Sequence, residues 1–148
     1  MANQSSVVVE LGSGTGTLLA RLAASLPSAR LVGVEIDPVL RRLHQLGPAS
    51  AHGARVHVVD ADLGGSDWTR SIEVPVDVIM AVQVLHYFPP ARFADLLAEI
   101  RSLIAPGGVF VHLDRVPLRA DGGAKTAAAV GDPWGAWCPR RGKLPGDR

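Results

Sequence analysis

From Val7 to Leu113, short β-branched runs alternate with stretches whose apolar residues recur at helical spacing. Val7-Val8-Val9-Glu10-Leu11 reads as a strand that enters Gly12-Ser13-Gly14-Thr15-Gly16, a turn whose glycines permit positive φ and the close approach of a ligand. Leu18, Leu19, Leu22, Ala23 and Leu26 then share one helical face, and Pro27 closes the segment. Arg30 to Ile36 is a second strand, apolar except for Glu35 near its end. Asp37-Pro38 supplies an N-cap and a proline at the first helical position, Leu40, Leu43 and Leu46 fall on one face, and Gly47 is the stop. After a connector from Pro48 to Gly53, Arg55 to Leu63 reads as a third strand that contains His57 and ends in Asp60 and Asp62. Ser66 to Arg70 has room for a turn or two of helix, and Val76 to Leu85 is a fourth strand leading into His86-Tyr87-Phe88-Pro89-Pro90. Phe93, Leu96, Leu97, Ile100, Leu103 and Ile104 give the clearest helical period in the chain. Pro106-Gly107-Gly108 ends that helix, and Val109 to Leu113 is a fifth strand.

Strands alternating with helices imply an α/β fold, a doubly wound sheet of five mostly parallel strands joined by right-handed crossovers, with helices on both faces. Glu10, Gly12, Glu35, Asp62 and Gln83 all fall at or just beyond the carboxyl ends of strands, the side on which such sheets bind ligands. Beyond Arg115 the pattern fails. Glycines and prolines are frequent there, and the basic cluster Arg140, Arg141 and Lys143 has no apolar partner face, so poor order is expected. The expected division is a ligand-binding domain over 1–116 and a Gly/Pro-rich segment over 117–148, with room for a short helix from Ala127 to Val130 and with Trp134 and Trp137 able to pack back.

Composition narrows the partners. A chain of 148 residues that is 47% hydrophobic fits one domain with a real core. A formal net charge of +1 gives no broad field for nucleic acid or an anionic membrane, so small neutral partners fit better. The start, Met1 to Ser6, lacks the basic region of a signal peptide, and no apolar run has the length of a membrane span, which reads as a cytoplasmic protein. Cys138 is the only cysteine, and the histidines at 44, 52, 57, 86 and 112 lack metal-site spacing, so no metal is expected.

The glycine spacing then selects the ligand. A dinucleotide turn wants G-x-G-x-x-G with pyrophosphate on the helix N-terminus, but the third of those positions is Thr17, and Glu10 inside the strand would repel a pyrophosphate. A cationic ligand without phosphate suits an acid beside the turn. S-Adenosylmethionine, with its α-ammonium and sulfonium, is such a ligand. In these residues the sequence resembles the class I S-adenosylmethionine-dependent methyltransferases. The resemblance runs from about Val7 to Val116 and rests on Glu10-Leu11-Gly12-Ser13-Gly14-Thr15-Gly16, Gly33-Val34-Glu35-Ile36-Asp37-Pro38, Asp62-Leu63, Leu85-His86-Tyr87-Phe88 and Leu103-Ile104-Ala105-Pro106-Gly107-Gly108, in that order. Leu85-His86-Tyr87 and Asp114-Arg115-Val116 look like the small-molecule branch of the family.

The resemblance implies a Rossmann-like sheet and methyl transfer to a small-molecule acceptor. It implies cofactor contacts at Glu10, Gly12, Ser13, Gly14, Gly16, Glu35, Ile36, Asp62, Leu63 and Gln83. Glu35 would accept from the ribose hydroxyls, and Asp62 from the adenine amine with Leu63 on the ring. Asp60 faces the same side as Asp62, so the sequence leaves the two open. Glu10 would serve the methionine end or tie the turn's amides. His86 is the nearest candidate base for an acceptor that must lose a proton, or else a loop histidine that packs or caps. Tyr87 and Phe88 offer a ring face to the sulfonium or belong to the core. The family fold ordinarily continues into a helical insertion and two further strands, one antiparallel; neither strand is legible in 117–148, nor is a leading helix before Val7. That would leave the fifth strand as an apolar edge, which a homodimer could cover. Two other readings stand beside the methyltransferase: a truncated, cofactor-binding but inactive relative or interaction partner, and an NAD(P)-binding oxidoreductase.

Overall fold

A computed structural model describes residues 6–115. The expectations for 117–148 and for the first residues of the chain lie outside the described residues. Strands β1 (Val7–Leu11), β2 (Arg30–Glu35), β3 (Val56–Asp60), β4 (Val76–Val82) and β5 (Ile104–Leu113) alternate with helices α1 (Thr17–Ser25), α2 (Pro38–Leu46) and α3 (Pro90–Leu103). They form one sheet in the order β3-β2-β1-β4-β5, and every pairing is parallel. The order reverses at β1, so the carboxyl ends of β1 and β4 flank the crevice where such sheets take ligands.

The two-residue period of β1 divides the core. Val9 and Leu11 face α3 and pack with Val34, Ile79, Leu96, Ile100 and Trp68, while Val8 faces α1 and packs with Leu31, Met80, Leu19 and Ala23. Helices on both faces are therefore observed, as the alternating pattern implies.

Four boundaries differ from the sequence reading, each for a local reason. β3 stops at Asp60 and not at Leu63, because the Asp62 carboxylate accepts from the Gly64 N–H at 2.7 Å and turns the chain. β4 stops at Val82, because Gln83 takes φ +53° and donates its N–H to the Leu113 carbonyl. α3 ends at Leu103, ahead of Ala105, whose place before Pro106 disfavours helix. Pro106-Gly107-Gly108 thus lies inside an irregular start to β5, where the register shifts between Val76 opposite Ile104 and Val78 opposite Val109.

The apolar face expected on α2 is present but turned outward. Of the expected Leu40, Leu43 and Leu46, the last two are exposed, as is Val39, Leu40 is half-buried, and the buried residue of the helix is His44. The 3-10 stretch Pro48–Arg55 explains this: it, and not α2, packs against α1, with Ala49 buried between them. On β5, Val109, Val111 and Leu113 are likewise exposed, on the face they share with Val78, Met80 and Val82.

Candidate functional site

The turn after β1 is stitched to β2. The Gly12 and Ser13 N–H groups both donate to the Val34 carbonyl, at 2.8 and 3.1 Å, and the Gly16 N–H donates to the Ser13 carbonyl. Gly12, Gly14 and Gly16 have φ of +66°, +54° and +75°, so each sits where an L side chain is strained. Their surroundings differ. A Cβ at Gly12 would stand 2.6 Å from Val84 Cγ2, and one at Gly16 would stand 2.5 Å from His44 Nδ1, whereas one at Gly14 would meet nothing within 4 Å. The turn is packed at its two ends and open at its middle.

Two buried carboxylates lie behind that opening. Glu35, at the end of β2, accepts from the Gly14 N–H and from the Asp37 N–H, each at 2.9 Å, so it joins the glycine turn to the start of α2. Glu10, on β1, is 5% exposed, and its Oε2 has no hydrogen-bond partner among the described residues. Burial first, and then the charge of Glu35, push its carboxyl up to about 7. Ser13 Oγ is also buried and unpartnered among the described residues. A buried acceptor left unmatched at the edge of an open turn suits a ligand that brings a donor or a positive charge.

The ends of β2 and β3 are each held by an arginine, Arg41 from α2 and Arg92 from α3. Arg41 of α2 donates to the Glu35 and Ile36 carbonyls, at 3.2 and 2.6 Å, and pairs with Asp60 at 2.8 Å. Asp60 is therefore engaged by Arg41, while Asp62 lies exposed in the turn beyond β3, with one oxygen on the Gly64 N–H. Leu63 is buried in the α3-facing core, with its carbonyl accepting from Arg92 Nε at 2.8 Å.

Gln83 leaves β4 in a left-handed conformation that costs a non-glycine residue strain, a feature often found at functional sites. Three residues on, His86 sits against Asp114, which follows β5. Asp114 accepts from the His86 N–H at 3.1 Å and from His86 Nδ1 at 2.6 Å, and its side chain is only 7% exposed. With an ionised carboxylate as acceptor, His86 Nδ1 is the donor of this contact. His112 Nε2 lies 3.4 Å from the same carboxylate. Tyr87 is exposed with its ring beside that of His86, and Phe88 packs against the core.

The structure thus brings Glu10, Gly12, Ser13, Gly14, Gly16 and Glu35 into one hydrogen-bonded or abutting group, with Ile36 following Glu35. Gln83 and His86 follow β4, and Asp62 and Leu63 follow β3, along the same edge of the sheet. Sequence reasoning passed over the pairing of Asp114 with His86 and the roles of Arg41 and Arg92. The signals for Asp114 were its place at the end of a strand adjoining β4 and its part, with Leu85-His86-Tyr87, in the resemblance to the small-molecule branch; neither shows that the two side chains meet.

A parallel sheet reversing at an open glycine turn, with helices on both faces, places the chain in the Rossmann-like, doubly wound class of domains. The methyltransferase domain family model matches residues 9–110, and the chain belongs to that family, the class I S-adenosylmethionine-dependent type. Among its relatives, 3-amino-4-hydroxybenzoate 4-O-methyltransferase of Streptomyces cremeus is 30% identical over 116 residues, covering 78% of this chain and 30% of that protein. Acetylserotonin O-methyltransferase of Mus musculus is 35% identical over 113 residues, covering 74% and 28%. The solved structure of PigF with SAH superposes with a TM-score of 0.64 at 24% identity, over 82% of this chain and 35% of that one. The chain spans about a third of the length of these proteins.

Proposed function

We propose that this chain binds S-adenosylmethionine at the glycine turn and transfers its methyl group to a hydroxyl of a small organic acceptor. The observation that carries the reading is Glu10, a buried carboxyl two residues ahead of the glycine turn, with an oxygen unmatched among the described residues and within reach of the charge of Glu35, which the Gly14 N–H anchors. Two neighbouring carboxylates favour a cationic ligand and disfavour the pyrophosphate of a dinucleotide, which argues against the oxidoreductase reading. Glu10 would take the α-ammonium, directly or through water, and Gly12, Ser13, Gly14 and Gly16 would line the amino-acid portion. Glu35 has one backbone donor on each oxygen, which leaves acceptor capacity for the ribose hydroxyls. Ile36 would flank the adenine, Asp62 would accept from its amine on a turn that Leu63 anchors in the core, and Gln83 would border the methionine end.

When bound, the cofactor supplies a methyl group on an excellent leaving group, so the protein has mainly to align the acceptor with it. His86 Nε2 would take the acceptor's hydroxyl proton while Asp114 holds Nδ1–H and balances the charge that develops on the ring. The hydroxyl as acceptor is supported by the two relatives, both named as O-methyltransferases. Among the described residues no helix is long and apolar enough to cross a membrane. We place the reaction in the cytoplasm, on a small molecule.

Labelled methyl transfer to a panel of phenols, carboxylic acids and amines tests this. The expected product is a methyl ether, and His86→Ala should slow its formation by about a hundredfold or more while S-adenosylhomocysteine affinity stays within about twofold. Cofactor binding without transfer to any acceptor would favour a binding-only protein, and an undiminished rate in His86→Ala would remove His86 as the base.

A further inference from the structure

Arg92 lies in the first turn of α3, and its guanidinium is directed at the loop that follows β3. Nε donates to the Leu63 carbonyl at 2.8 Å and Nη2 to the Gly65 carbonyl at 2.6 Å. On its other side the guanidinium meets Glu99 bidentately, Nη1 to Oε1 at 2.8 Å and Nη2 to Oε2 at 2.7 Å. Glu99 also accepts from Trp68 Nε1 at 2.6 Å, and Trp68 is buried. The Arg92 and Glu99 side chains are 13% and 18% exposed, so this network is largely withdrawn from water.

Apart from the Leu63 side chain, which is buried in the core, the loop has few bonds of its own. Between Asp62 and Ser66 it contains two adjacent glycines, Gly64 and Gly65, and its own bonds are Asp62 Oδ1 to the Gly64 N–H and a long contact of 3.3 Å from the Gly65 N–H to the Asp62 carbonyl. Two glycines in a short turn leave many backbone states open unless an outside group selects one. A cleft of about 300 Å³ opens on this turn, with Asp62, Gly65 and Trp68 among its walls.

We infer that Arg92 is a positioning residue for the adenine end of the cofactor site: it holds the Asp62–Gly65 turn, through the Leu63 and Gly65 carbonyls, in the shape that lets Asp62 read an exocyclic amine. The inference rests on the S-adenosylmethionine reading above and adds to it the group that sets nucleobase specificity. Lysine cannot replace arginine here, because a point charge cannot donate to two carbonyls and two carboxylate oxygens in one plane. The Glu99 hydrogen bond raises the guanidinium pKa, burial opposes it, and the charges of Glu99, Asp95 and Asp62 add to the rise, which keeps the clamp charged.

Calorimetric binding of S-adenosylhomocysteine and of S-inosylhomocysteine, in which the amine is replaced by a carbonyl, separates positioning from mere fastening. Wild type should prefer the adenine ligand by about tenfold or more. Asp62→Asn and Arg92→Lys should each reduce that preference to less than about threefold, and the double variant should lose little more, because both act on one contact. A structural role would lower affinity for both ligands equally and leave the preference intact. Preference abolished by Asp62→Asn but retained in folded Arg92→Lys overturns the inference while sparing the cofactor reading. Failure of wild type to bind either ligand overturns both. Thermal unfolding of each variant shows that folded protein is being compared, and Glu99→Gln, which leaves Arg92 in place, repeats the comparison should Arg92→Lys not fold.

Discussion

Glu10 is the residue whose environment departs furthest from its ordinary chemistry. Its carboxyl is held near 7 instead of 4.5, so between those values the native protein keeps a proton that the unfolded chain has released. Stability contributed by this group is therefore full below about pH 4.5, falls as pH rises through about 7, and changes no further above that. The difference corresponds to at most roughly 3 kcal/mol. Urea unfolding of wild type and Glu10→Gln at pH 5 and pH 8 checks it: the variant should lack most of this fall and gain relative to wild type at pH 8. Parallel behaviour of the two proteins would mean that Glu10 is ionised throughout. That Glu10 is a candidate for the site was legible from its position inside β1, two residues before the turn. That it stands unmatched was not, because this depends on where the turn sends its amides, and Glu35 takes the Gly14 N–H.

Among the elements, the strands were readable because parallel strands buried on both faces must be largely apolar, as Val7 to Val9 and Leu31 to Val34 are. α2 was readable as a helix through Asp37, which accepts from the Val39 and Leu40 N–H groups, but not in its orientation. Its leucines fit a helical face equally well turned inward or outward, and only the packing of Pro48–Arg55 against α1 decides between them. β5 carries the consequence for association. It forms an edge of the described sheet, and Val109, Val111 and Leu113 stand 52%, 43% and 60% exposed along one side of it. We expect self-association through this strand, and Val111→Lys to shift sedimentation toward monomer without lowering the melting temperature by more than a few degrees. A monomer in wild type at every concentration would contradict this.

For the molecule as a whole, the order β3-β2-β1-β4-β5 brings residues distant in sequence to one edge, and it does so by rules of crossover handedness that the alternating pattern already implies. Hence the set Glu10, Gly12 to Gly16, Glu35 and Asp62 could be gathered from sequence. What could not be gathered were contacts made between elements by long side chains: Arg41 on Asp60, Arg92 on the Leu63 and Gly65 carbonyls, and Asp114 on His86. Spacing along the chain carries no trace of a guanidinium reaching 29 residues back to a carbonyl.

The central claim is that this edge of the sheet is an S-adenosylmethionine site. Calorimetric titration with S-adenosylhomocysteine measures it most directly. The account predicts one site per chain with micromolar affinity, weakened at least about tenfold in Glu35→Ala. No measurable binding, or tighter binding of a nicotinamide dinucleotide, would contradict it.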